Sequence, residues 1–149
     1  MKKKIGKQNG SNELLIYING DFVPQSKATI SVFDHGFLYG DGIFEGIAVY
    51  GGRPFRLEQH ISRLFDSAKA IDLQVSLSEK EISNAIINTI RKNELSDGYV
   101  RPIITRGVGL LGLNPSYCDR PNFLIISQRS SDYPLMNLMT SPLGQSSRQ

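Results

Sequence analysis

Residues 34–50 read Asp34-His-Gly-Phe-Leu-Tyr-Gly-Asp-Gly-Ile-Phe-Glu-Gly-Ile-Ala-Val-Tyr50, with glycines at 36, 40, 42 and 46 alternating with aromatic and acidic residues. An ordinary core element does not carry so many glycines, because each loses more backbone entropy on ordering than any other residue. They make sense where another surface comes close to the backbone. Tyr39 and Phe44, set between them, can line an apolar pocket with one polar tip. Glu45 follows Phe44 and, in an extended chain, points to the opposite face. On that ground the sequence gives it no catalytic role.

Outward from this run, both flanks read as sheet. Upstream, residues 14–19 are rich in Ile, Leu and Tyr, Asn19-Gly20 is a strong hairpin signal, and residues 21–24 start the return strand. Downstream, residues 45–50 and 54–57 flank Gly51-Gly52, which predicts a second hairpin. The period then changes. Leu57, Ile61, Leu64, Phe65, Ala68 and Ile71 share one helical face. A second helix starts at Ser78, where Ser78 and Glu81 form a capping box, buries Ile82, Ala85, Ile86 and Ile90, and stops near Asn93. Beyond the Ser96-Asp97-Gly98 turn, residues 99–106 and 123–128 read as two more strands, Pro102 marking an edge or a bulge in the first. Strands, then two helices, then strands predict an α+β fold: an antiparallel-rich sheet with two amphipathic helices packed on it. The domain is expected over 14–128, behind a disordered leader at 1–13 and before an irregular tail at 129–149 interrupted by Pro134 and Pro142.

Composition narrows the class. A chain of 149 residues is the size of one domain. The formal charge of +3 comes partly from Lys2, Lys3, Lys4 and Lys7, a solvated run without interleaved aromatics, so neither a nucleic-acid nor a membrane partner is expected. No apolar stretch is long enough to span a bilayer or to follow the lysines as a signal peptide, which reads as cytoplasmic. One cysteine, Cys118, and two histidines, His35 and His60, make neither a disulfide nor a metal centre. Neither histidine has a recognisable partner in sequence, and both read as structural. Asp34 and Asp41 read as turn stabilisers rather than as a carboxylate pair.

The order Tyr39-Gly-Asp-Gly-Ile-Phe-Glu-Gly46, with His60-x-x-Arg63-Leu64 and Gly98-Tyr-Val-Arg-Pro-Ile-Ile104, resembles the fold-type-IV pyridoxal-phosphate enzymes. Its wording is nearest the branched-chain amino acid aminotransferases, and the likeness runs from about residue 15 to 127. It implies the N-terminal small domain of such an enzyme. By itself Arg63 is a helix arginine of the usual solvated kind, but its planar, permanently charged fork suits a phosphate. The resemblance assigns it to the 5′-phosphate of pyridoxal 5′-phosphate. It also implies that Tyr39, Phe44, Tyr99 and Arg101 shape the substrate pocket, Tyr99 and Arg101 lying on one side of a strand. The loop from Gly107 to Pro115 would expose Leu111 and Leu113, so it either folds back on its own core or covers a partner. In the resembling enzymes it reaches the partner subunit's active site, which implies a homodimer.

The chemistry of that family needs a Schiff-base lysine. The lysines at 2, 3, 4, 7, 27, 69, 80 and 92 lie in the leader, the first hairpin or the helices, and none matches its context. The expectation is therefore a truncated branched-chain amino acid aminotransferase, inactive alone, whether an evolved short product or a frameshifted one. The complete enzyme would move the amino group between leucine, isoleucine or valine and the 2-oxo acid 2-oxoglutarate. Alternatives within the fold are a D-amino acid aminotransferase or an aminodeoxychorismate lyase fragment. Outside catalysis the alternative is an interaction domain pairing with an intact aminotransferase.

Overall fold

The computed structural model describes residues 13–132. The lysine run and the tail beyond 132, Pro134 and Pro142 included, lie outside the described residues. Asn19 and Gly20, at φ 50° and 108°, turn β1 (Leu15–Ile18) back into β2 (Asp21–Pro24). Both central residues then have the positive φ that matches the twist of the flanking strands. Five further strands follow: β3 (Gly42–Phe44), β4 (Ile47–Tyr50), β5 (Arg53–Pro54), β6 (Gly98–Thr105) and β7 (Asn122–Arg129). They form one sheet in the order β2-β1-β7-β6-β4-β5, β3 also pairing with β6, and every pairing is antiparallel.

After a short helix α1 (His35–Tyr39), the two amphipathic helices, α2 (Leu57–Ala70) and α3 (Glu79–Lys92), follow the sequence pattern closely. Ser78 and Glu81 exchange both bonds of the capping box. Ile61, Leu64 and Ala68 of α2 and Ile82, Ala85, Ile86 and Ile90 of α3 are buried against Ile47, Val49, Val100, Ile104 and Ile125 of the sheet. Full burial of each such Leu or Ile contributes about 1.5–3 kcal/mol, so this layer carries the stability. Ile71, expected on the same face, is 39% exposed because α2 ends before it. Among the described residues no helix is long and apolar enough to cross a membrane.

Three sequence readings need correction. The glycine-rich run contains a short helix, α1 (His35–Tyr39), capped by the Asp34 side chain and closed by Gly40 at φ 68°. The return strand of the second hairpin is only Arg53–Pro54, because Arg56 turns at φ 50° into α2. Pro102 lies at neither an edge nor a bulge. β6 is flanked by β7 on one side and by β3 and β4 on the other. Phe44 faces Ile103 and Ile47 faces Val100, so one register runs through both short strands. The ladder merely breaks at Glu45 and Gly46: Glu45 N–H donates to the Pro102 carbonyl at 3.1 Å, and Pro102 has no N–H to donate back.

Candidate functional site

The alternation along β3 and β6 decides what meets on the sheet face away from α2 and α3. Phe44, Tyr99 and Arg101 come together there. The Arg101 guanidinium lies 4.9 Å from the Phe44 ring centre and 5.4 Å from that of Tyr99, and its Nη2 donates to the Tyr99 hydroxyl at 3.1 Å. Gly46 makes room for this: a Cβ there would overlap the Tyr99 hydroxyl. Phe44 is 61% exposed and Arg101 is exposed. A cation steadied by two aromatic faces, with N–H donors left over, suits a carboxylate beside an apolar side chain.

One residue further along, the chain sends Glu45 the other way, under α2. It is 6% exposed and accepts both Nε–H and Nη2–H of Arg63, at 2.6 Å each. His60 Nδ1 is 2.8 Å from the same carboxylate, which can only accept, so the imidazole donates from Nδ1. The Arg63 bonds hold the Glu45 carboxyl below its ordinary range against the opposing effect of burial, and His60 adds to the lowering. The same carboxylate raises the Arg63 pKa. His60 thus has a partner that sequence could not supply, because Glu45 is 15 residues away and on another element. Phe44, the last residue of β3, and Glu45, the first beyond it, put the aromatic cluster and the Arg63 cluster on opposite faces at the end of that strand, which pairs with β6.

Tyr39 belongs to a third group. Its hydroxyl accepts from Gly112 N–H at 2.8 Å, and its ring packs edge-on against His35 at 5.0 Å. Buried His35 donates through Nε2 to the Leu110 carbonyl at 2.8 Å. Asp34, fully buried, accepts from Gly36 N–H at 2.7 Å, from Thr105 Oγ1 at 2.8 Å and from Asn122 Nδ2 at 2.6 Å. The run 107–115 is therefore tied by its backbone to α1 while Leu111 and Leu113 stay 66% and 80% exposed. Asp41 donates its backbone N–H to the His35 carbonyl at 3.2 Å in the turn that closes α1, while its side chain reaches another element. It takes a two-pronged bond, 2.9 Å each, from Arg106, whose other donors cap the Ile71 and Asp72 carbonyls at the end of α2. Of the lysines, Lys69 pairs with Asp66 at 3.5 Å and Lys92 lies over Phe22 at 5.0 Å, both away from these clusters. The Cys118 thiol, half-buried and pushed up by burial, contacts the Gly107 carbonyl at 3.5 Å.

A family model for amino-transferases of class IV matches residues 42–142. A putative branched-chain-amino-acid aminotransferase of Methanocaldococcus jannaschii is 49% identical over 112 residues, 75% of this chain and 39% of that one. An aminodeoxychorismate lyase of Bacillus subtilis is 37% identical over 112 residues, 74% of this chain and 38% of that one. The solved structure of the branched-chain amino acid aminotransferase from Escherichia coli superposes with a TM-score of 0.74 at 35% identity, over 78% of this chain and 41% of that one. The chain thus spans about two-fifths of the length of the proteins it matches.

Proposed function

We propose, from the premise that this chain belongs to the class IV aminotransferases, that it forms the small domain, over residues 14–128, of an enzyme moving amino groups between branched-chain amino acids and 2-oxo acids. The observation that carries this reading is the Phe44–Tyr99–Arg101 cluster. Arg101, held by the Tyr99 hydroxyl and the Phe44 ring, offers its free donors to a substrate carboxylate. Phe44 is an exposed apolar wall for a branched side chain. The higher identity to a branched-chain-type relative than to the lyase, 49% against 37%, supports this specificity over the lyase alternative.

The residues present fit pyridoxal phosphate at one point. Arg63 keeps its side chain 66% exposed although one edge of its guanidinium is bound to Glu45, which leaves N–H donors for a phosphate. When bound, the cofactor supplies the electron sink and the amino-group carrier of the reaction. Arg63 would hold its phosphate, while Phe44, Tyr99 and Arg101 would orient the substrate on the other side of β3. None of the chain's lysines stands in a Schiff-base context, so the 149 residues by themselves are inert in amino transfer. Exposed Leu111 and Leu113, with exposed Phe37 and the nearby Tyr39 hydroxyl, face a second copy in a homodimer and complete that copy's pocket.

The test is Arg101→Ala in the whole protein. A rise in KM for both amino acid and 2-oxo acid, larger than the fall in kcat, is expected. Unchanged KM for both would remove Arg101 from carboxylate binding. Borohydride treatment of the 149-residue chain with pyridoxal phosphate should label no lysine stoichiometrically, and a single labelled lysine would overturn the reading of the chain as inert.

A further inference from the structure

We propose that Glu45 is a positioning residue for the phosphate arm, pinning one edge of the Arg63 guanidinium so that the opposite edge faces outward as a ready receiver. This rests on the reading of Arg63 as the phosphate ligand. A guanidinium has five N–H donors in a rigid fork. Glu45 Oε1 takes Nε–H and Oε2 takes one Nη2–H, each at 2.6 Å, which occupies the side edge. The end edge, made by Nη1 and the second Nη2–H, remains.

Glu45 can act as an anchor because it is itself held. Its side chain is 6% exposed against 66% for Arg63. Its backbone N–H is bonded to the Pro102 carbonyl at 3.1 Å, and its Oε2 also receives His60 Nδ1 at 2.8 Å. An arginine on a helix surface would otherwise spread over many rotamers, and a ligand would have to immobilise it.

Charge alone argues against an acidic residue here. A carboxylate behind Arg63 cancels part of the attraction that an incoming phosphate feels. Two effects therefore compete when Glu45 is neutralised: the field on the phosphate becomes more favourable, and the guanidinium loses its anchor. If positioning dominates, phosphate affinity falls, and if charge dominates, it rises. The sign of one measurement separates them.

The experiment titrates the 149-residue chain with inorganic phosphate, against chloride at matched ionic strength. Binding is followed by the backbone amide resonances of α2 and by the Arg63 Nε–H resonance, assigned by its loss in Arg63→Lys. Thermal unfolding confirms that each variant is folded. Wild-type resonances should shift saturably with phosphate alone, and Arg63→Lys should abolish the response. Glu45→Gln should weaken it roughly three- to tenfold, the size expected when a ligand must order a long side chain that its neighbour no longer holds. It should also speed exchange of the Arg63 Nε–H with water. Should Glu45→Gln not fold, Glu45→Asp, which withdraws the carboxylate by one methylene, carries the same expectation. No phosphate response in wild type, or one that survives Arg63→Lys, sinks the phosphate reading and the proposal with it. Loss in Arg63→Lys with equal or tighter binding in the Glu45 variant overturns the positioning role alone.

Discussion

Gly46→Ala is the sharpest probe of how the glycine-rich run builds the pocket. Gly46 is not among the residues with positive φ, so alanine meets no backbone penalty there and the effect is steric. Its Cβ would overlap the Tyr99 hydroxyl and lie 2.9 Å from Cζ and 3.0 Å from Cε2. Ordinary carbon contacts are about 3.5–4.0 Å, so the ring must move by roughly 1 Å, which breaks the 3.1 Å bond from Arg101. Overpacking costs about 1–3 kcal/mol. The lower half of that range applies because Tyr99 is only half-buried and its far end can swing outward. In a chain of this size about 1–2 kcal/mol lowers Tm by about 2–8 °C. A double-mutant cycle with Tyr99→Phe, read by urea unfolding, isolates the contact. Removing the hydroxyl takes away the nearest atom but not the carbons, so the cost of Gly46→Ala should shrink without vanishing. An equal cost in both backgrounds, or none in either, would refute the reasoning.

Other perturbations act elsewhere in the fold. Leu64→Ala, at a fully buried position, should cost about 2–5 kcal/mol in denaturant unfolding. Ser78→Ala removes the capping box of α3 and should cost about 1 kcal/mol by the same assay. Glu45 has a folded-state pKa below its unfolded one, so its stabilisation is full above the ordinary carboxylate range and is lost as pH falls through the lowered value. A scan of Tm against pH should therefore show an acid-side loss in wild type that is smaller in Glu45→Gln, and superimposable profiles would contradict the ion pair. If the proposed homodimer forms through the run 107–115, Leu111→Ser with Leu113→Ser should shift it to monomer in analytical ultracentrifugation and make Tm lower and independent of protein concentration, whereas an unchanged dimer would place the interface elsewhere.

The two helices were readable because each has an uninterrupted period and one has a capping box; Ile61, Leu64, Ile82 and Ile86 follow from spacing alone. The hairpin at Asn19-Gly20 was readable from its turn chemistry. Pro102 misled because a proline implies a missing partner, and here the missing bond is spent at the gap between β3 and β4, inside a paired strand. α1 was hidden by its glycines, although Asp34 before it and Gly40 after it are ordinary cap signals. Phe44, Tyr99 and Arg101 could be brought to one face by strand alternation once β3 and β6 were known to pair. The Glu45–His60–Arg63 cluster and the Asp41–Arg106 pair join separate elements. A carboxylate on a strand gives no local sign of which helix cation it will meet.

The central claim, that this chain supplies the substrate wall of a branched-chain amino acid aminotransferase, is tested most directly by kcat/KM of the whole protein. Amino transfer to 2-oxoglutarate is measured from L-leucine and from D-alanine side by side. Turnover with L-leucine and little with D-alanine is the expected result. A preference for D-alanine, or turnover of neither by a pyridoxal-phosphate-loaded whole protein, would contradict it.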